Sequence, residues 1–261
     1  MNRLPISVCM VSGAEADRIG AALESVAGWT SEIIVVLNAD VTDRTEEVAG
    51  RYGAKVVREP WKGYLAQKNS AAEKCGQPWA FNLDADEVVS PELRQELLAM
   101  FANSPALESC AALSCPRLSH FCGRWIRHGD WYPDRLTRLW RRGQARWSGM
   151  DPHPYVKVDG KVAKLKGPLL HFSSDSITDR LGKIAHFSDE FVRQHTAHRM
   201  PGPFDLAVRP LWRFLRAYFL RLGFLDGWQG FYIASHTAFS TLVRYAKLRE
   251  ARETPSAPKG R

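Results

Sequence analysis

Alternation between strand-like and helix-like segments is the feature of this sequence that most restricts its fold. Short apolar runs of strand length occupy residues 6–11, 32–37, 54–57 and 79–83. Segments with helical character lie between them, at residues 16–26, 45–52 and 64–74. Because consecutive parallel strands need a crossover helix, this order predicts an α/β fold with a parallel sheet over residues 5–102 and ligand bound beyond the carboxyl ends of the strands. The turn after the first strand lacks the sequence GxGxxG, which argues against an ordinary dinucleotide site.

The fourth strand-like run ends in three acidic residues, Asp84, Asp86 and Glu87. Carboxylates this close repel one another, so a fold that gathers them usually holds a cation. An Asp-x-Asp turn can supply oxygen ligands to Mg²⁺ or Mn²⁺ while diphosphate oxygens fill the other positions. The alternative is that the acids stabilise the N-terminus of a helix that begins near Ser90. Ser90 can cap that helix by itself, with Pro91 in its first turn, which favours the metal–diphosphate interpretation.

Positive charge is concentrated in two stretches of a chain whose net charge is +8. Residues 117–147 contain eight arginines and two aspartates, and residues 205–252 contain eight lysines and arginines and three acids. Basic surfaces of this kind suit nucleic acid, an anionic membrane or phosphorylated substrates, and charge alone does not select among them. The five cysteines form no CxxC pair and no secretory signal precedes the first strand, so the sequence predicts reduced thiols and a cytoplasmic location.

The regular alternation stops beyond Pro105. Residues 113–171 have the pattern of a mixed antiparallel region, with strands at 136–140 and 155–158, and the chain becomes helical from about residue 177. We expect a first domain over residues 1–175, a basic amphipathic helical region over 176–252 and a disordered tail over 253–261. No segment has the roughly 20 apolar residues that a membrane span needs. Residues 204–222 combine Trp, Phe and Arg, which fits a helix on an anionic bilayer surface and equally a packing helix with its arginines in solvent.

Several short motifs occur together in one order over the chain up to about residue 250. They are Ser7-Val8-Cys9-Met10, Glu32-Ile33-Ile34-Val35-Val36, Thr42-Asp43-Arg44-Thr45, Trp61-Lys62-Gly63-Tyr64, Gln67-Lys68-Asn69, Leu83-Asp84-Ala85-Asp86-Glu87, Gly123-Arg124-Trp125-Ile126-Arg127-His128-Gly129, Trp131-Tyr132-Pro133-Asp134, Lys166-Gly167-Pro168-Leu169-Leu170-His171 and Arg209-Pro210-Leu211-Trp212-Arg213-Phe214. In this order they resemble the motifs of the family 2 glycosyltransferases with a GT-A fold. More narrowly, they resemble those of the lipopolysaccharide-core β-1,4-glucosyltransferase group.

The resemblance implies a Rossmann-like nucleotide-sugar-binding fold with a mixed central sheet and a C-terminal helical extension. Its donor half would occupy about residues 1–105 and its acceptor half about 106–175. The implied reaction is an inverting transfer of a hexose from a nucleotide-sugar, UDP-glucose or similar, to a lipopolysaccharide-core or other lipid-linked glycan acceptor. The resemblance also implies a Mg²⁺ or Mn²⁺ cofactor and peripheral contact with the inner face of the bacterial inner membrane.

Four positions match donor-binding residues of that family. Glu15 corresponds to the acid of a Thr-Lys-Asn-Glu turn, although Ser12-Gly13-Ala14 precedes it in this chain. Asn38 lies where the family has an Asp that accepts a hydrogen bond from the uracil N3–H, and an amide oxygen can accept the same bond without the assistance of a charge. Lys68 would meet the diphosphate as a point charge, and Asp84 would meet the ribose or a metal-bound water.

The metal ligands and the catalytic base follow from the same resemblance. Asp86 would coordinate the metal directly, and His153 would be a further metal ligand or an acceptor contact. The base that deprotonates the acceptor hydroxyl should be a carboxylate or a histidine. The Glu of a Val-His-Glu segment is the natural candidate in the family, but Pro154 stands at its position here. We therefore expect Asp151 or Asp134 to take that role.

The arginine-rich stretch 117–147 is interleaved with four tryptophans. Indole faces stack on sugar rings and guanidinium groups grip phosphate with two hydrogen bonds, so the stretch suits a phosphorylated carbohydrate acceptor. Arg127, Trp131 and Arg138 are the acceptor contacts that we expect. The alternative is that the tryptophans belong to the core and the arginines form a solvated rim.

Two other functions compete with the transferase. The altered residues Gly13, Ala14, Asn38 and Pro154 would fit a relative that binds nucleotide-sugar or glycolipid without turnover. A nucleic-acid-binding protein would explain the charge and the aromatic residues, but it leaves the acidic turn and the strand–helix alternation unexplained. Because no RNP-like, zinc or helix-turn-helix pattern is present, we expect no nucleic-acid partner.

Overall fold

The computed structural model describes residues 3–103, 105–150, 154–172, 176–195 and 199–253. The chain forms two compact units. The first comprises Met1–Leu118 and Asp134–His171, and the second comprises Ser119–Pro133 and Phe172–Arg261. The second unit contains the helical region expected from the sequence and also residues 119–133, which the sequence analysis assigns to the first domain. Of the tail expected over residues 253–261, only Glu253 lies within the described residues.

Strands dominate the first unit. In chain order the strands are β1 (Leu4–Ser12), β2 (Thr30–Asn38), β3 (Lys55–Glu59), β4 (Trp79–Asn82), β5 (Glu87–Val89), β6 (Ala112–Phe121), β7 (Arg124–Ile126), β8 (Asp134–Arg141), β9 (Ala145–Ser148), β10 (Tyr155–Val158), β11 (Val162–Lys164) and β12 (Leu169–Phe172). The helices are α1 (Ile19–Ala27), α2 (Thr45–Arg51), α3 (Tyr64–Glu73), α4 (Pro91–Asn103), α5 (Pro105–Glu108), α6 (Ile177–His195), α7 (Arg209–Leu215) and α8 (Gly227–Glu253).

The main sheet is mixed, with the order β3-β2-β1-β4-β8-β6-β12-β5. Its first four strands are parallel to one another, as the sequence alternation predicts. Strand β8 joins β4 and β6 in antiparallel pairs, and β12 pairs with β5 in the same way. Strands β9 and β10 form a separate antiparallel ribbon. The expected α/β class with a mixed central sheet and C-terminal helices is confirmed.

Strands β1, β2 and β4 are largely buried on both faces, which explains their nearly continuous apolar sequence, whereas β3 at the sheet edge has no buried residue. Val8, Val35 and Phe81 belong to one core cluster on these strands, and each is at most 1% exposed. Helix α1 covers part of that cluster with Ile19 and Leu23, which are fully buried. This rigid core fixes the carboxyl ends of β1 and β4, where the acidic turn lies.

The acidic turn leads into a short strand and then a helix. Residues 87–89 form β5, which the sequence analysis does not predict. Helix α4 follows, and the backbone N–H of Leu93 donates a 3.1 Å hydrogen bond to the Ser90 hydroxyl oxygen. Ser90 therefore caps the helix as expected, and Asp84 and Asp86 are not needed for that role.

The second unit is built mainly from helices. Helix α8 packs against α6 and α7. No helix in the described part of the chain combines the length and the hydropathy of a membrane span.

The helix expected over residues 204–222 is continuous from residue 204 to residue 220, and it contains two π-turns. One-turn π-helices at Phe204–Val208 and Arg216–Leu220 flank α7. The backbone N–H of Arg209 reaches the carbonyl oxygen of Phe204, one residue further back than in an α-helix. Each π-turn adds a residue to the local repeat, so the spacing of side chains around this segment departs from that of a regular helix.

Candidate active site

A cleft of about 670 Å³ lies within the first unit, at the carboxyl ends of β1 and β4. Most of the side chains that line it are charged or aromatic. They are Glu15, Tyr64, Lys68, Asp84, Asp86, Arg117, Arg135, Arg138, Trp147, Tyr155 and His171. The position is the one predicted from the parallel strands, since ligands of such sheets bind beyond the carboxyl ends.

Asp84 is held between two cations in this cleft. The Lys68 Nζ atom lies 2.6 Å from one carboxylate oxygen, and an Arg138 guanidinium nitrogen lies 2.8 Å from the other. Burial by itself would raise the pKa of Asp84, but the charges of Arg138 and Lys68 outweigh it and hold the pKa well below its usual range. Asp84 is therefore an ionised carboxylate of fixed orientation.

Arg138 and Glu87 form the buried side of the same cluster. Arg138 is 4% exposed and Glu87 is not exposed, and one guanidinium nitrogen of Arg138 donates to both Glu87 and Asp84. Burial raises the pKa of Glu87, and the Arg138 charge opposes that increase without cancelling it. For Arg138, burial lowers the pKa, and the charges of Asp84 and Glu87 raise it further than burial lowers it.

Asn69, the neighbour of Lys68 on α3, holds Trp147 beside Lys68. The side-chain amide of Asn69 accepts a 3.0 Å hydrogen bond from the backbone N–H of Trp147 and donates a 3.1 Å bond to its carbonyl oxygen. These two hydrogen bonds hold Trp147 beside Lys68, whose Nζ lies 4.6 Å from the centroid of the indole ring. The motif Gln67-Lys68-Asn69 thus brings a cation and an aromatic wall to the cleft together.

Asp86 faces a histidine that the sequence analysis does not select. The Nε2 atom of His171 lies 3.3 Å from an Asp86 carboxylate oxygen, and both side chains line the cleft. A carboxylate and an imidazole suit a divalent ion such as Mn²⁺. Among the described residues, no group of three or more acidic, histidine or cysteine side chains is arranged as a metal site. The pair therefore fits a metal only if a ligand such as diphosphate completes the coordination.

His171 ends the motif Lys166-Gly167-Pro168-Leu169-Leu170-His171, so the signal that could have identified it is present in the sequence. It stands opposite Glu87 in the β12–β5 register, which brings it next to the acidic turn. That pairing joins residues more than eighty positions apart, and local patterns do not reveal it.

The turn that carries Glu15 is fixed by the motif Thr42-Asp43-Arg44-Thr45. The backbone N–H of Glu15 donates a 2.8 Å hydrogen bond to the Thr45 hydroxyl, and that of Ala16 donates a 3.2 Å bond to Asp43. Burial raises the pKa of Glu15, the Arg18 charge opposes this, and the neighbouring aspartates add to it. The side-chain oxygen of Asn38 is buried and has no hydrogen-bond partner among the described residues. The end of β2 therefore offers a free hydrogen-bond acceptor.

The remaining sequence-predicted residues lie elsewhere or are not described. Asp151 and His153 lie outside the described residues. Asp134 begins β8, and its carboxylate accepts 2.7 Å and 3.0 Å hydrogen bonds from Arg117, a cleft residue. Arg127 and Trp131 belong to the second unit, whereas Arg138 belongs to the first. The structure thus brings together Glu15, Lys68, Asp84, Asp86 and Arg138.

Comparisons with known proteins agree with this fold. Residues 7–150 match the sequence profile of the family described as Glycosyl transferase family 2. A protein of Rickettsia typhi named "Uncharacterized glycosyltransferase RT0209" is 33% identical over 255 residues, which cover 94% of this chain and 87% of the relative. The lipopolysaccharide core biosynthesis glycosyltransferase LpsC of Rhizobium meliloti is 28% identical over 264 residues, covering 98% and 96% of the two chains.

A solved structure supports the fold alone. The crystal structure of S. aureus TarS 1-349 in complex with UDP-GlcNAc superimposes with a TM-score of 0.51 at 15% sequence identity, covering 99% of this chain and 93% of that one. The family profile spans more than half of the chain, and the 33% identity extends over nearly all of it. The chain is a member of glycosyl transferase family 2.

Proposed function

We propose that this protein transfers a hexose, with inversion, from a nucleotide-sugar such as UDP-glucose to a lipopolysaccharide-core or other lipid-linked glycan acceptor. The observation that carries the proposal is the paired arrangement in the cleft: Asp84 clamped by Lys68 and Arg138, beside Asp86 facing His171. The similarity to LpsC over almost the full length of both chains supports the acceptor class.

The donor would lie with its diphosphate beside the two carboxylates of the acidic turn. Asp84 is already neutralised by two cations, so it is a poor metal ligand and a good hydrogen-bond acceptor for a ribose hydroxyl. Asp86 and His171 would hold a Mg²⁺ or Mn²⁺ ion, which when bound supplies Lewis-acid charge to the departing nucleoside diphosphate. Lys68 is within reach of the same phosphates, and the unpartnered Asn38 oxygen is the acceptor for the base.

The bond changes of the transfer define what the protein groups must do. The acceptor oxygen forms a bond to the anomeric carbon as the bond from that carbon to the diphosphate breaks, and the hydroxyl proton passes to a carboxylate. Asp151 and Asp134 are the proposed bases. Pro154, three residues after Asp151, lines the cleft, and Asp134 is held by Arg117, which also lines it. Inversion follows if the acceptor attacks from the face opposite the leaving group.

Contact with an anionic membrane is proposed for the second unit. Large apolar side chains are exposed on residues 204–225, and cationic side chains alternate with them. Leu211, Trp212, Phe219 and Leu220 are each more than half exposed. A surface that combines aromatic, aliphatic and arginine side chains suits the boundary between acyl chains and phosphate headgroups. A lipid-linked acceptor would be met at that boundary.

The experiment that tests the proposal is calorimetric binding of UDP with and without Mn²⁺. We expect UDP to bind the wild-type protein in a Mn²⁺-dependent manner. Loss of outer-shell metal partners alone weakens metal sites roughly ten- to hundredfold, so Asp86→Ala and His171→Ala should weaken Mn²⁺-dependent UDP binding by at least about tenfold. Asp159→Ala, which removes an exposed carboxylate outside the cleft lining, is the matched control. Unchanged binding in both cleft variants would remove the metal role.

Turnover is tested with a screen of UDP-, GDP- and ADP-sugars for thermal stabilisation, followed by transfer to a heptose-containing acceptor. Asp151→Asn or Asp134→Asn should lower the transfer rate roughly 10²- to 10⁴-fold, the usual contribution of a general base. A protein that binds the donor and transfers no sugar in any of these assays would be the non-catalytic relative instead.

A further inference from the structure

A pocket of about 190 Å³ lies inside the second unit, among α6, α7 and α8. Four cationic side chains reach it from three helices, and hydroxyl groups complete its wall. The polar residues that matter are Arg180 and Lys183 on α6, Arg213 on α7, and Ser240, Thr241 and Arg244 on α8. No aspartate or glutamate is among the described residues that line it.

Two of the positive charges of this pocket, those of Arg244 and Lys183, have no ion-pair partner in the described part of the chain. Arg244 is partly buried, and its Nε atom has no hydrogen-bond partner among the described residues. Lys183 forms no ion pair with any carboxylate in the described part of the chain. Burial lowers the pKa of Arg244, and the nearby charge of Arg213 lowers it further, which shows that the two guanidinium groups repel each other.

The carboxylate that pairs with Arg213 is already shared. Asp130 lies 3.5 Å from Arg213, 2.9 Å from Arg216 and 3.7 Å from Arg221. One negative charge therefore serves three guanidinium groups, and Arg213 is the partner that faces the pocket. Gathering like charges around a partly desolvated space is unfavourable unless an anion occupies it.

We propose that this pocket binds a phosphate group, either of a soluble phosphorylated compound or of a lipid headgroup. Guanidinium groups present paired N–H donors to phosphate oxygens, and Lys183 adds a compact charge at the exposed rim. The hydroxyls of Ser240 and Thr241 supply neutral donors to the same oxygens. The Arg180 Cζ atom lies 4.1 Å from the Trp131 ring centroid, so a cation–π contact helps to hold this guanidinium group at the pocket.

The pocket lies in a different unit from the cleft, so its proposal is argued without the proposed sugar transfer. A phosphate of a soluble compound and a phosphate of the bilayer are both recognised by the same hydrogen-bond donors. Both sources present the same phosphate group to the pocket, so an experiment with a separate measurement for each source is needed to distinguish them.

The test uses the full chain with two probes, inorganic phosphate in calorimetry and vesicles of phosphatidylcholine with and without phosphatidylglycerol in sedimentation. Arg244→Gln and Lys183→Gln are the pocket variants. Arg249→Gln is the matched control, because Arg249 lies on the same helix, pairs with Glu253 at 2.6 Å and is outside the pocket lining. Lys183 is exposed, so its substitution keeps the test valid if Arg244→Gln fails to fold.

We expect the pocket variants to weaken phosphate binding by roughly tenfold, the effect of losing one charge-assisted hydrogen bond, with the control unchanged. If sedimentation with anionic vesicles also falls in the pocket variants alone, the phosphate belongs to a lipid headgroup. If vesicle binding is unaffected, it belongs to a soluble compound. Wild-type protein that binds neither probe, or pocket variants that behave like Arg249→Gln, would overturn the proposal. Mn²⁺-dependent UDP binding, measured on the same samples, reports separately on the proposed transferase site.

Discussion

Substitution of Arg138 by methionine should sharply destabilise the first unit. Arg138 is 4% exposed and pairs with Asp84 and with the fully buried Glu87. In Arg138→Met, Asp84 keeps Lys68 at 2.6 Å. Glu87 keeps a 3.2 Å hydrogen bond from the backbone N–H of Asp84, and its remaining ion pair among the described residues is with Arg117, at 3.7 Å. Removing one partner of a buried ion pair costs about 3–5 kcal/mol because it leaves a buried charge without compensation. We therefore expect the free energy of unfolding to fall by about that amount near neutral pH.

The loss of unfolding free energy in Arg138→Met should depend on pH, and the direction of this dependence follows from the pKa of Glu87. Burial already raises the pKa of Glu87, and removal of the Arg138 charge raises it further. A carboxyl group whose pKa is higher in the folded state than in the unfolded state costs nothing at low pH, where both states are protonated. Its cost grows as pH rises above the unfolded-state pKa, and it is complete once pH exceeds the folded-state pKa. The destabilisation of Arg138→Met should thus be large at about pH 8 and much smaller at about pH 5.

The assay is urea unfolding followed by tryptophan fluorescence, which Trp147 reports from the same cluster. Arg51→Met is the matched control, because Arg51 pairs with Glu47 on an exposed helix face, and its loss should cost less than about 1 kcal/mol. The double variant Glu87→Gln/Arg138→Met should recover about 2 kcal/mol or more of the loss, since the buried charge is gone. A double variant as unstable as Arg138→Met at both pH values would refute the reasoning.

Three further predictions follow from the first unit. Gly167→Ala places a Cβ atom 2.4 Å from the α4 backbone and should cost about 1–3 kcal/mol in urea unfolding, whereas Gly50→Ala, with open space around it on α2, should be neutral or stabilising. Hydrogen bonds from Lys74 and Lys62 hold the pKa of Glu59 at about 2, so the stability that Glu59 contributes is lost as pH falls below about 4.5. In urea unfolding at a series of acidic pH values, the free energy of unfolding of Glu59→Gln should therefore fall less steeply with decreasing pH than that of the wild type. Asn69→Leu removes both hydrogen bonds to the Trp147 backbone and should cost about 1–3 kcal/mol, with a shift in tryptophan emission.

The parallel half of the fold could be predicted because its signals are local. Strands β1, β2 and β4 each contain a continuous apolar run, and segments of helical character lie between the strands. The strand β5 could not be predicted, since its three residues depend on pairing with β12 rather than on their own pattern. The π-turns in the helix over residues 204–220 could not be predicted for a different reason. Its apolar spacing fits a regular helix, and π-turns leave no such signature in the sequence.

In the candidate site, too, local sequence signals predict some residues, and the others depend on pairing between distant strands. The acidic turn, Lys68 and Glu15 follow directly from strands and helices that the sequence marks. Arg138, which the sequence analysis expects to contact the acceptor, pairs with Asp84 and Glu87, because β8 lies next to β4. The acceptor contact stays a prediction. An arginine on a strand gives no local sign of whether it faces solvent or a buried carboxylate. His171 depends in the same way on a register between distant strands.

The formal charges of the side chains in and behind the cleft nearly cancel. Cationic side chains are Lys68, Arg117, Arg135 and Arg138, and acidic ones are Glu15, Asp84, Asp86 and, behind Arg138, Glu87. A cavity of near-zero formal charge exerts little long-range pull on a free diphosphate, and it is better matched to an electroneutral ion–diphosphate complex. Donor capture in such a cleft should be governed by short contacts, and its rate should change little with ionic strength.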